Sequence, residues 1–193
     1  LVPAFAKAAQ ATPDPDSTLT RAVDFVEAIA GRAAYLALLV EHPDALERVT
    51  KMIGASSWAA EFVTRHPLLL DELLDDRLLY APLDLQALRK ALEVQLRAAH
   101  DDTERRMNIL RESHQAQVFR LLAQDLAGLL TVERLADHLS ALADLMLELS
   151  LEEVWRDFRA PRHREKPAFA VIAYGKLGGK ELGYASDLDI IFL

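Results

Sequence analysis

Two acidic residues near the end of the chain, Asp187 and Asp189, are separated by one leucine and followed by an apolar run that ends at Leu193. Side chains two apart on a strand point to the same side, so the pattern predicts carboxylates that project together while Leu188 and Ile190 point into a core. Neighbouring carboxylates repel each other unless a cation lies between them. Their hard oxygen atoms suit Mg²⁺ or Mn²⁺, so the pair predicts a divalent metal site.

A glycine-rich segment precedes the acidic pair. Residues 175–183 contain four of the chain's 7 glycines, which predicts a loop or tight turn. Glycines allow backbone N–H groups to approach a triphosphate closely, a serine can donate to a phosphate oxygen, and lysines offset phosphate charge. The candidate nucleotide-binding residues are Gly175, Lys176, Gly178, Gly179 and Ser186, with Lys180 as a further cation.

Two familiar phosphate-binding loops do not fit this segment. A Walker loop has Ser or Thr after Gly-Lys, whereas Gly179-Lys180 is followed by Glu181. A Rossmann fingerprint opens a helix and has its acid about 20 residues further on, whereas both acids here follow within the next strand. An isolated Asp-x-Asp is usually a solvated turn or strand edge, so the metal interpretation depends on the glycines and Ser186.

The elements that must position these residues are two short strands. The apolar runs 169–174 and 188–193 are rich in β-forming residues and flank the glycine segment. Two strands alone form a marginal hairpin, so a stable sheet would need further strands. The exposed run 190–193 is also a site where another strand could pair.

The first 160 residues predict helices packed as an irregular bundle. Apolar residues from Leu19 to Val40 recur every three or four positions, which predicts one long helix. Pro43 and Pro67 are expected to start new elements. The charged run 100–106 predicts a bend or a solvated face. The predicted organisation is a helical module (1–160), a proline-bounded linker (161–168) and the start of a second domain (169–193).

The composition limits the classes of function. The chain has 22 Lys+Arg against 30 Asp+Glu, a net charge of −8, which argues against nucleic acid as a partner because phosphate contacts need clustered cations. It has no cysteine, which is compatible with a reducing cytoplasm. No apolar run reaches the roughly 20 residues that span a bilayer. The start at Leu1, which has neither Met nor the basic segment of a signal peptide, suggests a piece of a longer protein. The expected location is cytoplasmic.

The terminal motif resembles the DNA-polymerase-β-type nucleotidyltransferases, which have a hydrophobic residue, Gly, Gly or Ser, a gap, and then Asp-hydrophobic-Asp-hydrophobic. Tyr174-Gly175 and the run 187–190 fit that pattern, whereas Lys176 departs from it. The segment 175–193 is more similar still to glutamine synthetase adenylyltransferases, as are the upstream stretches 32–39 and 65–74. The resemblance therefore covers nearly the whole chain.

This resemblance implies a mainly α fold: an irregular helical bundle followed by the first two strands of a truncated nucleotidyltransferase α/β domain. It implies transfer of AMP from ATP to a tyrosine hydroxyl of glutamine synthetase by the C-terminal, adenylylating half of the enzyme. Asp187 and Asp189 would be the catalytic and metal residues, holding two Mg²⁺ about 4 Å apart. The family has a third carboxylate on a later strand that cannot be assigned here, so the chain alone is expected to have little or no activity.

A second hypothesis concerns the helices. The helical module could instead serve as an interdomain or regulatory module that binds the other catalytic half or a PII signalling protein. The partners expected from the resemblance are therefore glutamine synthetase and PII.

Overall fold

The computed structural model describes residues 1–157 and 170–193. Within these ranges the protein is mainly α-helical with a two-stranded antiparallel sheet, which confirms the predicted fold class. The described helices include none that is long and apolar enough to span a bilayer. The elements are α1 (Val2–Ala9), α2 (Pro15–Ile29), α3 (Ala33–Glu41), α4 (Pro43–Ala55), α5 (Ser57–Arg65), a 3-10 helix (Pro67–Leu74), α6 (Asp76–Leu79), α7 (Leu85–Ala98), α8 (Thr103–Leu126), α9 (Val132–Asp157), β1 (Val171–Ala173), α10 (Gly175–Gly178) and β2 (Ile190–Phe192).

The chain divides into two compact units. One comprises Leu1–Ala81 and Phe119–Leu129, and the other comprises Pro82–Val118 and Leu130–Leu193, as far as the described residues go. The predicted linker, residues 161–168, lies outside the described residues. The predicted division into a helical module and a second domain therefore stays a prediction.

Prolines and a short acidic side chain start helices in the first unit. α2, α4 and the 3-10 helix begin at Pro15, Pro43 and Pro67, where the missing N–H has no intrahelical partner to lose. The Asp14 carboxylate accepts the N–H of Ser17 at 3.1 Å, which caps α2. The new elements predicted at Pro43 and Pro67 are confirmed.

The prediction of one long helix from Leu19 to Val40 is wrong. α2 ends at Ile29 and α3 begins at Ala33, with Gly31 between them, and a glycine inside a helix costs about 1 kcal/mol relative to alanine. The buried face also differs from the predicted one, because Val23 is 40% exposed and Val40 is 63% exposed. The buried residues of α2 are Thr18, Ala22, Phe25 and Ile29.

The second unit is held together by an apolar seam between α7 and α9. Leu92 and Leu96 of α7 pack in one buried cluster with Leu145 and Leu149 of α9. Burial of each leucine contributes about 1.5–3 kcal/mol relative to exposure. This seam fixes α9, which forms part of the surroundings of the candidate site.

One member of the charged run 100–106 is not solvated. The run does contain the predicted bend, between the end of α7 and the start of α8. Arg106, however, is only 4% exposed, and its guanidinium donates to Glu153 at 3.2 Å and to Asp157. The prediction of a solvated face is wrong at this residue, because two carboxylates of α9 replace water as its partners.

The two strands are shorter than predicted. β1 pairs antiparallel with β2 in the register Val171 with Phe192 and Ala173 with Ile190. Backbone pairing continues beyond the strands at both ends: Ala170 and Leu193 exchange N–H to carbonyl hydrogen bonds at 2.8 and 2.9 Å, and the N–H of Tyr174 donates to the carbonyl of Asp189 at 2.8 Å. The pairing therefore places the residue after β1 beside the residue before β2.

Candidate functional site

The glycine segment after β1 folds as a single helical turn, α10, where a loop or tight turn was predicted. The N–H of Gly178 donates to the carbonyl of Tyr174 at 2.9 Å, and the N–H of Gly179 donates to the carbonyl of Gly175 at 3.0 Å. Both amides are thus engaged inside the turn. Contact of these two amides with a phosphate stays a prediction, and it would require them to share or exchange these bonds.

Gly178 is required for α10 to pack against β1. A Cβ at this position would lie 2.6 Å from the carbonyl oxygen of Ala173, which is closer than carbon and oxygen atoms can approach without displacement. Leu177, only 4% exposed, anchors the same turn. The glycine therefore lets the turn lie directly on the end of the strand.

Gly175 and Asp189 are in close contact. Gly175 has a φ of +53°, a conformation that favours glycine because other residues experience a Cβ clash there. A side chain at this position would also collide with the carboxylate of Asp189. The backbone bond from Tyr174 to Asp189 holds the two chain segments together. The first glycine of the motif and its second acid, 14 residues apart in sequence, thus lie side by side.

The segment 186–189 leads into β2 without being part of it. Asp187 and Asp189 are both exposed. The hydroxyl of Ser186 accepts the N–H of Gly183 at 3.0 Å, so it closes a turn; its predicted phosphate contact stays a prediction. Leu188 is 40% exposed, so the expectation that it points into a core is wrong. It lies before β2, where with Ser186 it lines a cavity of about 240 Å³.

The two lysines of the motif are exposed. Lys180 has a φ of +55°, and the carbonyl of Lys176 accepts the N–H of Glu181 at 2.7 Å. Neither ammonium group forms an ion pair with a carboxylate of the described residues. Both cations are therefore accessible to an anionic ligand.

Comparison with known families decides what kind of protein carries this arrangement. The sequence profile of the glutamate–ammonia ligase adenylyltransferases matches residues 46–193. The chain belongs to this adenylyltransferase family. The match includes all of the second unit and the whole Gly175–Asp189 segment, so the resemblance seen in the motif is confirmed over most of the chain.

Three relatives in the adenylyltransferase family show how far the similarity extends. Each is a bifunctional glutamine synthetase adenylyltransferase/adenylyl-removing enzyme. The relative from Aromatoleum aromaticum is 64% identical over 193 residues, all of this chain and 20% of the relative. Those from Chromobacterium violaceum and Neisseria meningitidis serogroup B are 54% and 52% identical over the whole chain, which covers 22% and 21% of their lengths. The chain thus spans about a fifth of the curated relatives it matches.

The described part of this adenylyltransferase chain supplies two candidate metal ligands. Among the described residues there is no group of three or more His, Asp or Glu side chains arranged to hold a metal ion. Asp187 and Asp189 thus offer a partial, oxygen-only ligand set. The remaining ligands would have to come from a substrate, water or another part of the enzyme.

The sequence pattern did not identify the buried apolar residues that anchor the glycine-rich segment. Leu177 and Leu182 are 4% and 5% exposed, in a segment that is otherwise rich in glycine and charge. Their signal was available, because a leucine that interrupts a polar, glycine-rich segment is a natural anchor. His114 of α8, which lines the cavity beside Ser186, had no comparable signal because it is distant in sequence.

Proposed function

We propose that this chain contributes to the site at which an adenylyltransferase moves AMP from ATP to a tyrosine hydroxyl of glutamine synthetase, releasing pyrophosphate. The observation that carries the proposal is the contact between the Asp189 carboxylate and Gly175 at the junction of β1 and β2. It places a carboxylate, which can bind a metal ion, directly beside the backbone of a glycine. Metal-assisted nucleotide transfer uses such a carboxylate to hold the ion next to the substrate phosphates. Family membership supports this reading of the contact.

The donor chemistry of the acidic pair fits a hard divalent cation. Mg²⁺ is commonly held by one or two carboxylates, with substrate phosphates and water completing its shell. Asp187 and Asp189 are exposed and form no ion pair with a Lys or Arg of the described residues. Their oxygens thus retain the capacity to bind two Mg²⁺ together with ATP. When bound, Mg²⁺ would favour ionisation of the attacking tyrosine hydroxyl and neutralise charge on the departing pyrophosphate.

The chain's own groups would mainly position the reactants. The absence of a side chain at Gly175 lets the Asp189 carboxylate lie directly against the backbone of α10, where a side chain would displace it. The exposed ammonium groups of Lys176 and Lys180 would offset phosphate charge. In-line attack at the α-phosphorus depends on such positioning and electrostatic stabilisation more than on covalent help from the protein.

The 193-residue chain is expected to transfer little or no AMP by itself. Its described residues provide two candidate carboxylates and no third member of the cluster. A cation that lacks one of its carboxylate ligands would be held loosely, and reactant positioning would suffer. Measurable AMP transfer to glutamine synthetase by this chain alone would contradict the expectation.

The decisive experiment is a titration of the chain with ATP in the presence and absence of Mg²⁺. We expect Mg²⁺-dependent binding that is lost in the Asp187→Asn, Asp189→Asn double variant, because asparagine keeps the size but removes the charge. Asp144→Asn on α9, an exposed acid outside the site, is the matched control and should bind as the original chain does. Equal ATP binding by the double variant would overturn the proposal.

The same variants separate the enzymatic role from a purely regulatory one. If the helices act only as a docking module for glutamine synthetase or a PII protein, the double variant should retain partner binding, and loss of its charges should have no effect on AMP transfer by the longer enzyme. If the enzymatic proposal is right, that transfer falls while partner binding persists. A cytoplasmic location follows from the proposed substrate.

A further inference from the structure

The segment 186–189 presents two different sides. Ser186 and Leu188 line the cavity of about 240 Å³, whereas Asp187 and Asp189 are not among its lining residues. Asp189 instead lies against Gly175. Alternate residues of an extended segment point to opposite sides, so Asp187 is expected on the same side as Asp189. The acidic side and the cavity side therefore share one stretch of backbone.

The cavity has an apolar interior and a polar rim. Its walls come from α8, α9 and the segment 182–188, all within the second unit. Residues that are 8% exposed or less form the interior: Val118, Leu139, Ala143 and Leu182. The polar side chains are those of His114, Ser150, Tyr184 and Ser186. Within the described chain, no Asp, Glu, Lys or Arg lines this cavity.

His114 contributes hydrogen-bonding capacity without charge. The residue is exposed, but neighbouring atoms remove part of the water around its imidazole and so lower its pKa from the ordinary value of 6.5. At neutral pH the ring is therefore neutral, with one nitrogen that donates a hydrogen bond and one that accepts. The proposed catalytic chemistry makes no use of this residue.

We propose that this cavity binds a small uncharged ring compound with one hydrogen-bonding edge, and that the bound ring contacts the reverse side of the segment that carries Asp187 and Asp189. The uncharged, largely apolar lining selects against ions, because a charge moved there would lose its hydration without gaining a partner. The volume is below the roughly 300–1,000 Å³ of sites for drug-sized ligands, so it suits one or two fused rings.

Occupation of the cavity would act on the acids through the backbone. A ring packed against Leu188 and Ser186 would restrict the segment 186–189, and Asp187 and Asp189 would be held with it. The effect on AMP transfer rests on the proposed function, whereas binding in the cavity does not. A ligand here would therefore regulate the site without touching its acidic side.

The test uses benzimidazole as the uncharged probe and benzoate as an anion of similar size. We expect benzimidazole to bind the 193-residue chain with a Kd of about 1 mM, which is ordinary for so few atoms, and to shift the backbone amide NMR signals of residues 186–189. Nuclear Overhauser contacts should join the probe to Met146 and Leu182. Equal binding of benzoate, absence of benzimidazole binding, or contacts elsewhere on the chain would overturn the proposal.

A pair of variants on α9 gives an independent check. Ala143→Leu adds volume inside the cavity and should weaken benzimidazole binding at least about tenfold. Ala141→Leu is the matched control, because Ala141 lies outside the lining and its substitution should preserve binding. Unchanged binding by a folded Ala143→Leu variant would overturn the proposal. If that variant does not fold, the contacts measured on the original chain decide.

The link to the acidic side is measured separately. We expect benzimidazole to change the apparent affinity of the chain for Mg²⁺ and ATP, with the Asp187 and Asp189 amide signals shifting when the probe alone is added. If the chain fails to bind Mg²⁺ and ATP but still binds the probe, the proposed function fails and the cavity site stands. A bound probe that leaves both amide signals unshifted would overturn the link.

Discussion

The second unit contains two groups of carboxylates with opposite surroundings. Glu153 and Asp157, on the last turns of α9, both accept hydrogen bonds from the buried guanidinium of Arg106. Asp187 and Asp189, before β2, are exposed and have no arginine or lysine partner among the described residues. The carboxylates on α9 are thus paired with an arginine, whereas those before β2 have oxygens that remain available to a ligand.

The difference shows how an acidic pair is assigned a role. A carboxylate that is hydrogen-bonded to a buried arginine has used its charge to satisfy the arginine, and removal of either partner leaves an uncompensated charge. An exposed carboxylate without such a partner gains little for the fold, so its charge remains available to a ligand. The first group should therefore matter for stability and the second for cation binding.

The largest effect is expected from removing the central cation of the first group. Arg106→Met should lower the free energy of unfolding by about 1–3 kcal/mol, because the nearly buried Glu153 would lose one of its two arginine partners and keep only Arg156. Urea denaturation monitored by circular dichroism measures this change. Arg105→Met, at an exposed position next to it, should change the free energy by less than about 0.5 kcal/mol.

A second substitution sharpens the same test. Arg106→Met combined with Glu153→Leu should recover much of the lost stability, because well-packed apolar groups can replace a buried ion pair at little or no cost. If the double variant is as unstable as Arg106→Met alone, packing rather than charge governs this site, and the contrast with Asp187 and Asp189 fails.

A smaller loss is expected at Gly175, where the second group meets the backbone. Gly175→Ala should destabilise the fold by about 1–2 kcal/mol, since alanine is strained at a positive φ, and should also weaken Mg²⁺-dependent ATP binding because its methyl group would displace the Asp189 carboxylate. Thermal unfolding and ATP titration measure the two effects. Gly31→Ala is the control, since a Cβ there meets no atom within 4 Å. Unchanged ATP binding by the Gly175→Ala variant would mean that Gly175 does not contribute to the nucleotide site.

The contrast between the two groups also explains what sequence reasoning could recover. The acidic pair, the glycines and the two strands are adjacent in sequence, so their spacing was enough to predict the hairpin and the candidate ligands. Arg106 and Glu153 are 47 residues apart, and no local pattern connects them. Arg106 was consequently assigned to a solvated run, because burial of an arginine depends on a partner supplied by another helix.

Local patterns also misled where two explanations compete. The apolar residues from Leu19 to Val40 fit helical spacing, yet Gly31 lies between two helices that pack through a different face. Similarly, the density of glycines predicted a loop or tight turn, whereas Gly178 permits the helical turn α10 to lie against Ala173. In both cases tertiary packing, which the sequence does not display directly, decided between local conformations.

A still smaller change in stability is expected from the acidic pair itself. Asp187→Asn with Asp189→Asn should alter the free energy of unfolding by less than about 0.5 kcal/mol in the absence of divalent cations, since both residues are exposed. With Mg²⁺ and ATP present, the original chain should gain stability by ligand binding and the double variant should not. Thermal unfolding with and without both ligands measures this. A large loss of stability in the double variant without ligand would mean that Asp187 and Asp189 stabilise the fold, as Glu153 and Asp157 do.

Asp14 combines features of both groups of carboxylates, because it is exposed like Asp187 but hydrogen-bonded like Glu153. It therefore tests whether a hydrogen bond alone makes an exposed carboxylate matter for stability. The hydroxyl and backbone N–H of Ser17 lower the pKa of Asp14 from its ordinary value of 3.8. The lowered pKa means that the folded state favours the ionised carboxylate, so this contribution is present above pH 3.8 and is lost as the pH falls through the folded-state pKa. Asparagine also caps helices but does not titrate in this range.

The stability difference between the original chain and Asp14→Asn should therefore be constant above the pKa of an unfolded aspartate and shrink below it. Urea denaturation over a series of pH values measures the difference, with Asp144→Asn as an exposed control that caps no helix. A difference that does not change with pH would mean that the cap acts through hydrogen-bond geometry alone. The carboxylate charge would then matter in the Arg106 group and in the acidic pair before β2, but not at Asp14.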